Sequence, residues 1–162
     1  MCLAMPEWGY STAQMDPDRM VKASGRDLRI SPKEAREICD VIRSMEVDAA
    51  IKYLELVIKK KEGVPYRRFN SNVPHHREIS GRFGIPSGRY PINASTEILK
   101  VLKNAKSNAE NKGLDTERLR ITHACAQAAI RMKNYIQRAH GRSTPFFHPL
   151  THVEIILEEI SA

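Results

Sequence analysis

Apolar residues recur along this chain at two different spacings, and the change between them divides it. In "AREICDVIRSM", Ala35, Ile38, Cys39, Ile42 and Met45 fall three or four residues apart, the spacing of one helical face. "SPKE" stands at the start of this run. It puts Ser31 at the cap, Pro32 at the first helical position and Glu34 three residues after the serine. A capping box is predicted, and a helix over about 32–45. In "VDAAIKYLELVIKKK" the stripe is Ala50, Ile51, Leu54, Val57 and Ile58. Lys59, Lys60 and Lys61 suit the negative end of that helix, and Gly63, Val64 and Pro65 stop it. A third helix is predicted over about 92–111, with Ala94, Ile98, Leu102, Ala105 and Ala109 buried and Lys112-Gly113 as its stop.

Beyond that point the period falls to two. Leu119 and Ile121 alternate with Arg118, Arg120 and Thr122, and Val153, Ile155 and Leu157 alternate with His152, Glu154 and Glu158. Two half-buried strands are predicted, and "VKASGRDLRI" (21–30) is a candidate for a further short strand. Between the two strands lie about 30 residues of weak alternation, centred on "RAHGR" (138–142), where Gly141 suits a turn. The simplest geometry is one long antiparallel hairpin whose base joins the core sheet and whose arm, over 126–150, projects. At about 3.3 Å per residue, ten further residues per strand would reach roughly 30 Å past the core. A two-stranded ribbon of that length is not stable in water alone. Something must surround it.

Charge says what. The chain has 162 residues and a net charge of +7, which favours a polyanionic partner, nucleic acid before anionic membrane. From Arg118 to Val153 there is no Asp or Glu at all. Candidate phosphate contacts on the arm are Arg131, Lys133, Arg138 and Arg142, with His140 placed to stack or hydrogen-bond, and Arg118 and His148 are further RNA-binding candidates. Phe146 and Phe147 suit either base stacking or packing at the hairpin base. Residues 63–91 form a second basic segment, a loop broken by Pro65, Pro74, Pro86 and Pro91. It carries Arg67, Arg68, Arg77, Arg82 and Arg89 against the single acid Glu78. Lys22, Arg26 and Arg29 complete the candidate set.

Other chemistry is weaker. Cys2, Cys39 and Cys125 are too few and too far apart for a disulfide framework or a zinc ribbon, and a reducing, cytosolic compartment is expected. The N-terminal "MCLAMPEWGY" lacks the pattern of a signal peptide, and no apolar run is long enough to span a bilayer. His75-His76 and the pair His148 and His152 lack the further ligands a metal site needs. No nucleophile elbow, P-loop or dinucleotide fingerprint occurs, so no cofactor and no catalytic residue are expected.

Four stretches together carry a resemblance: "VKASGRDLRISPKEA", "LKNAKSNAENKGLD", "YIQRAHGRSTPFFH" and "THVEIILEE". In this order they cover nearly the whole chain, which resembles the universal large-subunit ribosomal protein L22 family in its archaeal and eukaryotic branch. "VPYRRFNSNVPHH…GRYPI" resembles the insertion that sets this branch apart from the bacterial form. The resemblance implies an α/β (α+β) fold: three helices packed on a small three-stranded antiparallel sheet, a long protruding hairpin and the basic insertion. It implies a single ribosomal-protein domain over 1–162 that binds large-subunit rRNA and cross-links its domains during assembly.

It also implies that the tip of the hairpin, Met132, Lys133, Asn134, Gln137, Arg138, Ala139, His140, Gly141 and Arg142, lines the peptide exit tunnel. Ribosomal protein L4 and the nascent chain would be its neighbours there. Gln137 stands where a proline is common in the family, and Asn134 where a basic residue is common. A cytoplasmic, non-enzymatic protein that is not a homo-oligomer and does not bind membranes is expected. A free-standing RNA- or DNA-binding regulator is the alternative, although no dimerising heptad stripe is present. A metal-dependent nuclease would need clustered acids inside the basic region, and the acid-free stretch speaks against it.

Overall fold

The computed structural model describes residues 9–12, 16 and 18–160. Cys2 and the rest of 1–8 lie outside them, as do 13–15, 17, 161 and 162. The elements run β1 (Met20–Leu28), α1 (Pro32–Ile42), α2 (Val47–Ile58), β2 (Val64–Pro65), α3 (Arg77–Phe83), β3 (Gly88–Arg89) and α4 (Ile92–Lys112). A 3₁₀ turn (Thr116–Arg118) leads into β4 (Leu119–Met132), β5 (Tyr135–Gln137), β6 (Ser143–Pro145) and β7 (His148–Glu159). The fold is mixed α/β, the class that the two spacings predict.

β7 is the centre of the main sheet, in the order β1-β7-β4, antiparallel throughout. Val21 faces Leu157, Ala23 and Ala124 face Ile155, and Ala126 faces Val153. That register puts the apolar positions of all three strands on one face, where the stripes of α1, α2 and α4 meet them. Ile38, Ile42, Leu54, Ile98, Leu102, Ile121, Ile155 and Leu157 are fully buried there. Burying each such side chain contributes roughly 1.5–3 kcal/mol. The opposite face buries Ile156 and, unexpectedly, Glu154. The backbone N–H and the hydroxyl of Ser11 both donate to Glu154 Oε2 at 3.0 Å, so residues 9–12 cross that face.

An unpaired sheet edge is a template for aggregation, and both edges are covered. On β1, Asn108 and Lys112 of α4 donate to the carbonyls of Lys22 and Met20. On β4, the α1–α2 connection pairs with the strand. The Ser44 N–H donates to Ile121 O at 2.8 Å, and the Ile121 N–H donates to Met45 O at 2.9 Å. This pairing ends α1 at Ile42, earlier than the spacing predicts. Arg43 leaves helical geometry at ψ 136 and Ser44 turns at φ 69, so Met45 packs from an extended segment.

Two further local expectations fail. α1 begins at Pro32 as predicted, but the Ser31 side chain makes no cap hydrogen bond and the capping box does not form. With proline at the first helical position one orphan N–H is already gone, and Glu34 lies instead on a cavity wall shared with Tyr66. Second, the 63–91 segment is not a bare loop. It holds α3 and the two-residue ribbon β2–β3, giving four α-helices among the described residues where three were predicted. Ile79 and Phe83 supply the helical spacing and Gly84, at φ 70, ends the helix.

Candidate nucleic-acid interface

The arm is the continuation of β4 and β7. Pairing runs to Met132 opposite His148, with a register shift between Ala128 and Arg131 where the hairpin leaves the core. A bulge bends a strand and increases its twist, and so re-aims it. Every residue from 130 to 149 is exposed. The ribbon resumes with Tyr135 opposite Pro145 and Gln137 opposite Ser143. At the tip the Arg138 N–H donates to Arg142 O at 2.8 Å. His140 and Gly141 both have positive φ, 57 and 65, the signature of the type I′ turn that matches strand twist. Gly141 takes that conformation without the penalty a Cβ brings.

Arm residues divide by face. Tyr135, Pro145 and Phe147 share one side, where the Tyr135 and Phe147 rings meet edge-on at 5.9 Å. Ile136 and Thr144 point to the other, where Phe146 meets the His148 ring at 4.8 Å and Arg138 Nε donates to Thr144 Oγ1. Tyr135, Phe146 and Phe147 are 61%, 51% and 41% exposed, so the aromatic pairs present their faces to whatever surrounds the arm. No carboxylate occurs anywhere on it, and Arg131, Lys133, Arg138 and Arg142 therefore act on that surround undiluted.

The remaining predicted residues fall into separate groups. Arg29 and His148 come together with Met132 and Asn134 around a cavity of about 490 Å³ where the arm meets the β1–α1 connection. Arg67, Arg68 and Arg89 lie on the segment that follows β2 and on β3, all exposed. Arg77 opens α3 and is exposed. Lys22 lies over the Tyr10 ring at 5.3 Å. Three others are already paired with an acid of the chain. Arg82 pairs with Glu62 and lies over the rings of Tyr53 and Phe83. Arg26 is 3.9 Å from Glu154, and Arg118 is 3.5 Å from Asp115.

Glu37 was not among the predicted residues, yet it fixes the second basic segment. Its side chain is buried on α1, where Oε2 accepts the backbone N–H of Arg67 and Oε1 those of Arg68 and Phe69, each at 2.9 Å. Three successive N–H groups thus converge on one carboxylate, and the side chains of Arg67 and Arg68 are left free to face outward. No local spacing signals this, because the partners are thirty residues apart. Lys33, beside the Phe69 ring at 5.7 Å, is a further basic residue of this region that the sequence reading passed over.

Burial perturbs three groups. Cys39 is enclosed in the core, and burial pushes its thiol up to about 12. Burial also raises Tyr53 and Tyr66. The Tyr53 hydroxyl donates to Gly63 O at 3.0 Å, whereas the Tyr66 hydroxyl is buried with no hydrogen-bond partner among the described residues.

A compact sheet-and-helix domain that carries an exposed, acid-free, aromatic-studded ribbon defines a class: basic proteins with a β-arm suited to a polyanionic surround. The comparisons narrow it. Residues 23–158 match the family described as ribosomal protein L22p/L17e. The chain is 51% identical over 154 residues to large ribosomal subunit protein uL22 of Methanopyrus kandleri, covering 94% of this chain and 96% of that one. It is 48% identical over 158 residues to the uL22 of Ignicoccus hospitalis, covering 96% and 99%. With the uL22 of Aeropyrum pernix it shares 42% identity over 156 residues, 96% of this chain and the whole of the other. The chain belongs to the ribosomal protein L22p/L17e family.

Proposed function

We infer that this protein is a structural constituent of the large ribosomal subunit in the cytoplasm, not an enzyme, and that its arm lies inside large-subunit rRNA. One observation carries the reading. Residues 130–149 are exposed throughout and carry basic and aromatic side chains but no acid. Such a ribbon has too little to bury by itself. Phosphates on its basic edges and bases on its aromatic faces supply the missing contacts. Arg and Lys displace counterions from the backbone and give affinity that falls with salt. Tyr135, Phe146 and Phe147 add stacking that tolerates any base.

In this reading the arm, held by different stretches of rRNA along its length, cross-links rRNA domains as the subunit assembles. The turn over Arg138–Arg142 is its innermost point. Met132 to Arg142 there line the peptide exit tunnel, beside an extension of ribosomal protein L4, and the nascent chain passes them. Arg29, His148 and Lys22 bind rRNA nearer the domain, and Arg67, Arg68, Arg77 and Arg89 hold it at the second basic segment. Arg26, Arg82 and Arg118 reach phosphate only by sharing it with Glu154, Glu62 and Asp115. The protein enters the subunit as a single copy, without self-association.

Sucrose-gradient fractionation of cell lysate tests the assignment. The protein is expected to co-migrate with the large subunit and to be released by RNase. Migration at the top of the gradient in untreated lysate would overturn it in favour of a free regulator.

A further inference from the structure

A cavity of about 360 Å³ lies away from the arm, between the first turn of α1 and the loop after β2. This is within the range of small-ligand sites. Four features of its wall point to one kind of occupant. Phe69 offers a partly exposed ring. Tyr66 is 96% buried, and its hydroxyl has no hydrogen-bond partner among the described residues, although a buried hydroxyl normally finds one. Glu34 and Arg89 stand on the same wall, which Tyr66 also lines. Finally, the N-terminus of α1 opens here, with an uncapped Ser31 and with Lys33 and Arg68 exposed beside it.

Each feature matches one part of a nucleotide. An unstacked base needs an aromatic ring, and Phe69 supplies it. Among the described residues Glu34 makes no hydrogen bond or ion pair, so both its oxygens are open acceptors. Guanine presents two adjacent donors, N1–H and the exocyclic amine, which a carboxylate can accept side by side. The Tyr66 hydroxyl can then meet a neighbouring polar atom of the base. The phosphate falls to Lys33, Arg68 and the positive end of α1. Lys33 and Arg68 now lie 5.7 and 5.8 Å from the Phe69 ring, so a small movement carries either one to a phosphate. The wall is preorganised, because Glu37 already fixes the backbone of residues 67–69.

We propose that this cavity binds an unstacked guanine nucleotide of RNA, with Phe69 stacking on the base, Glu34 and Tyr66 reading its edge, and Lys33 and Arg68 holding its phosphate. The proposal rests on the RNA-binding reading above and adds to it a site that the arm does not supply.

The test is an NMR titration of the full ¹⁵N-labelled chain. The probes are GMP, AMP, CMP, UMP, ribose 5-phosphate and the oligoribonucleotides UUGUU and UUUUU. GMP and UUGUU are expected to move the amides of Lys33, Glu34 and Phe69 at the lowest concentrations, with UUGUU the tighter of the two. Tyr66→Phe should weaken GMP roughly 3- to 10-fold, the effect of one lost hydrogen bond. It should leave the free protein at least as thermostable, because the hydroxyl it removes is unpaired there. Four outcomes would overturn the proposal: no movement of these amides, equal movement with ribose 5-phosphate, binding of GMP but not of UUGUU, or a lowered Tm for Tyr66→Phe. Filter binding of the same protein to large-subunit rRNA separates the two readings. If rRNA still binds, only the guanine site falls; if it does not, the RNA reading falls with it.

Discussion

Replacing Glu37 by Gln would keep the size of the side chain and change only its charge and one acceptor. In the native protein Oε1 takes the N–H groups of Arg68 and Phe69 and Oε2 takes that of Arg67. In Glu37→Gln the amide oxygen can keep two of these, as neutral bonds. Bonds to a charged group contribute about 1.5–3 kcal/mol and neutral ones about 0.5–1.5, so each weakens by about 1 kcal/mol. The third N–H would face the new NH₂, donor against donor, at a cost of about 1–3 kcal/mol if it is shut away from water. These N–H groups are only partly buried, so solvent recovers some of that loss. The expected destabilisation is roughly 2–4 kcal/mol. For a domain of this size that corresponds to a fall in Tm of roughly 5–15 °C.

Urea unfolding followed by circular dichroism measures the first quantity, and hydrogen exchange at residues 67–69 gives an independent second. In the native protein those three amides should exchange slowly for a segment outside regular secondary structure, and in Glu37→Gln they should approach the rate of open loops. A change below about 1 kcal/mol with protection of 67–69 intact would refute the reasoning, since such a value is ordinary for a site without special features. Restoring charge at a shorter reach, by Glu37→Asp, should recover only part of the loss, because Asp cannot hold all three N–H groups from the same helical position.

Five further outcomes follow from the same geometry. A Cβ at Gly88 would stand 2.5 Å from the Val64 carbonyl oxygen and closer still to Ile79, so Gly88→Ala should cost more than about 2 kcal/mol; Gly81, with open space around it in α3, should gain about 0.5–1 kcal/mol from the same change. Paired urea melts decide both. Deleting 130–145 should leave the circular dichroism spectrum and Tm of the domain nearly unchanged, because no residue from 130 to 149 is buried; an unfolded variant would show that the arm belongs to the core. Changing Arg138 and Arg142 together to Gln should lower the salt slope of rRNA binding by roughly 1.4–1.8, read as log K against log salt. The Cys39 thiol is raised from 9.0 to about 12, so its contribution to stability is complete below pH 9 and is lost as pH rises from there towards 12; Cys39→Ala should flatten the melting curve over that window.

What sequence could show depended on how far apart the determinants lie. α2 and α4 were legible because their stripes and stops are local: Lys112-Gly113 ends α4 with Gly113 at φ 79. The strands β4 and β7 were legible from alternation, and the turn from "AHG". α3 was hidden because its two apolar positions, Ile79 and Phe83, sit among prolines and glycines that argue for a loop. The early end of α1 was hidden because backbone pairing with β4, not a residue near Met45, decides it. Glu37 and Glu154 were hidden for the same reason: each is an acid at a buried position, made tolerable by partners 30 and 143 residues away. Among the candidate contacts, charge alone did not separate Arg82, which an acid in the chain has already taken, from Arg138, which faces no acid on the arm.

That last distinction explains how one chain can serve as both a domain and a strut. Where the protein folds on itself, several of its basic residues are paired internally: Arg26 with Glu154, Arg82 with Glu62, Arg43 with Asp40, Lys106 with Asp48. Apart from the second basic segment and the residues beside it, the domain therefore leaves less charge in need of an outside partner, and its sheet edges are covered by its own side chains and backbone. In the arm both arrangements are reversed. Its cations have no acid within reach in sequence, and its aromatic pairs have no layer above them. A single acid placed there, for example Thr144→Glu beside Arg138, would pair with that guanidinium and give the ribbon an internal contact. The hairpin should then be no less stable in the free protein and weaker on rRNA. The exclusion of acids is thus a requirement of binding and not of folding, and a Thr144→Glu chain that bound rRNA as tightly as the native one at the same salt concentration would show that the arm does not work through phosphate.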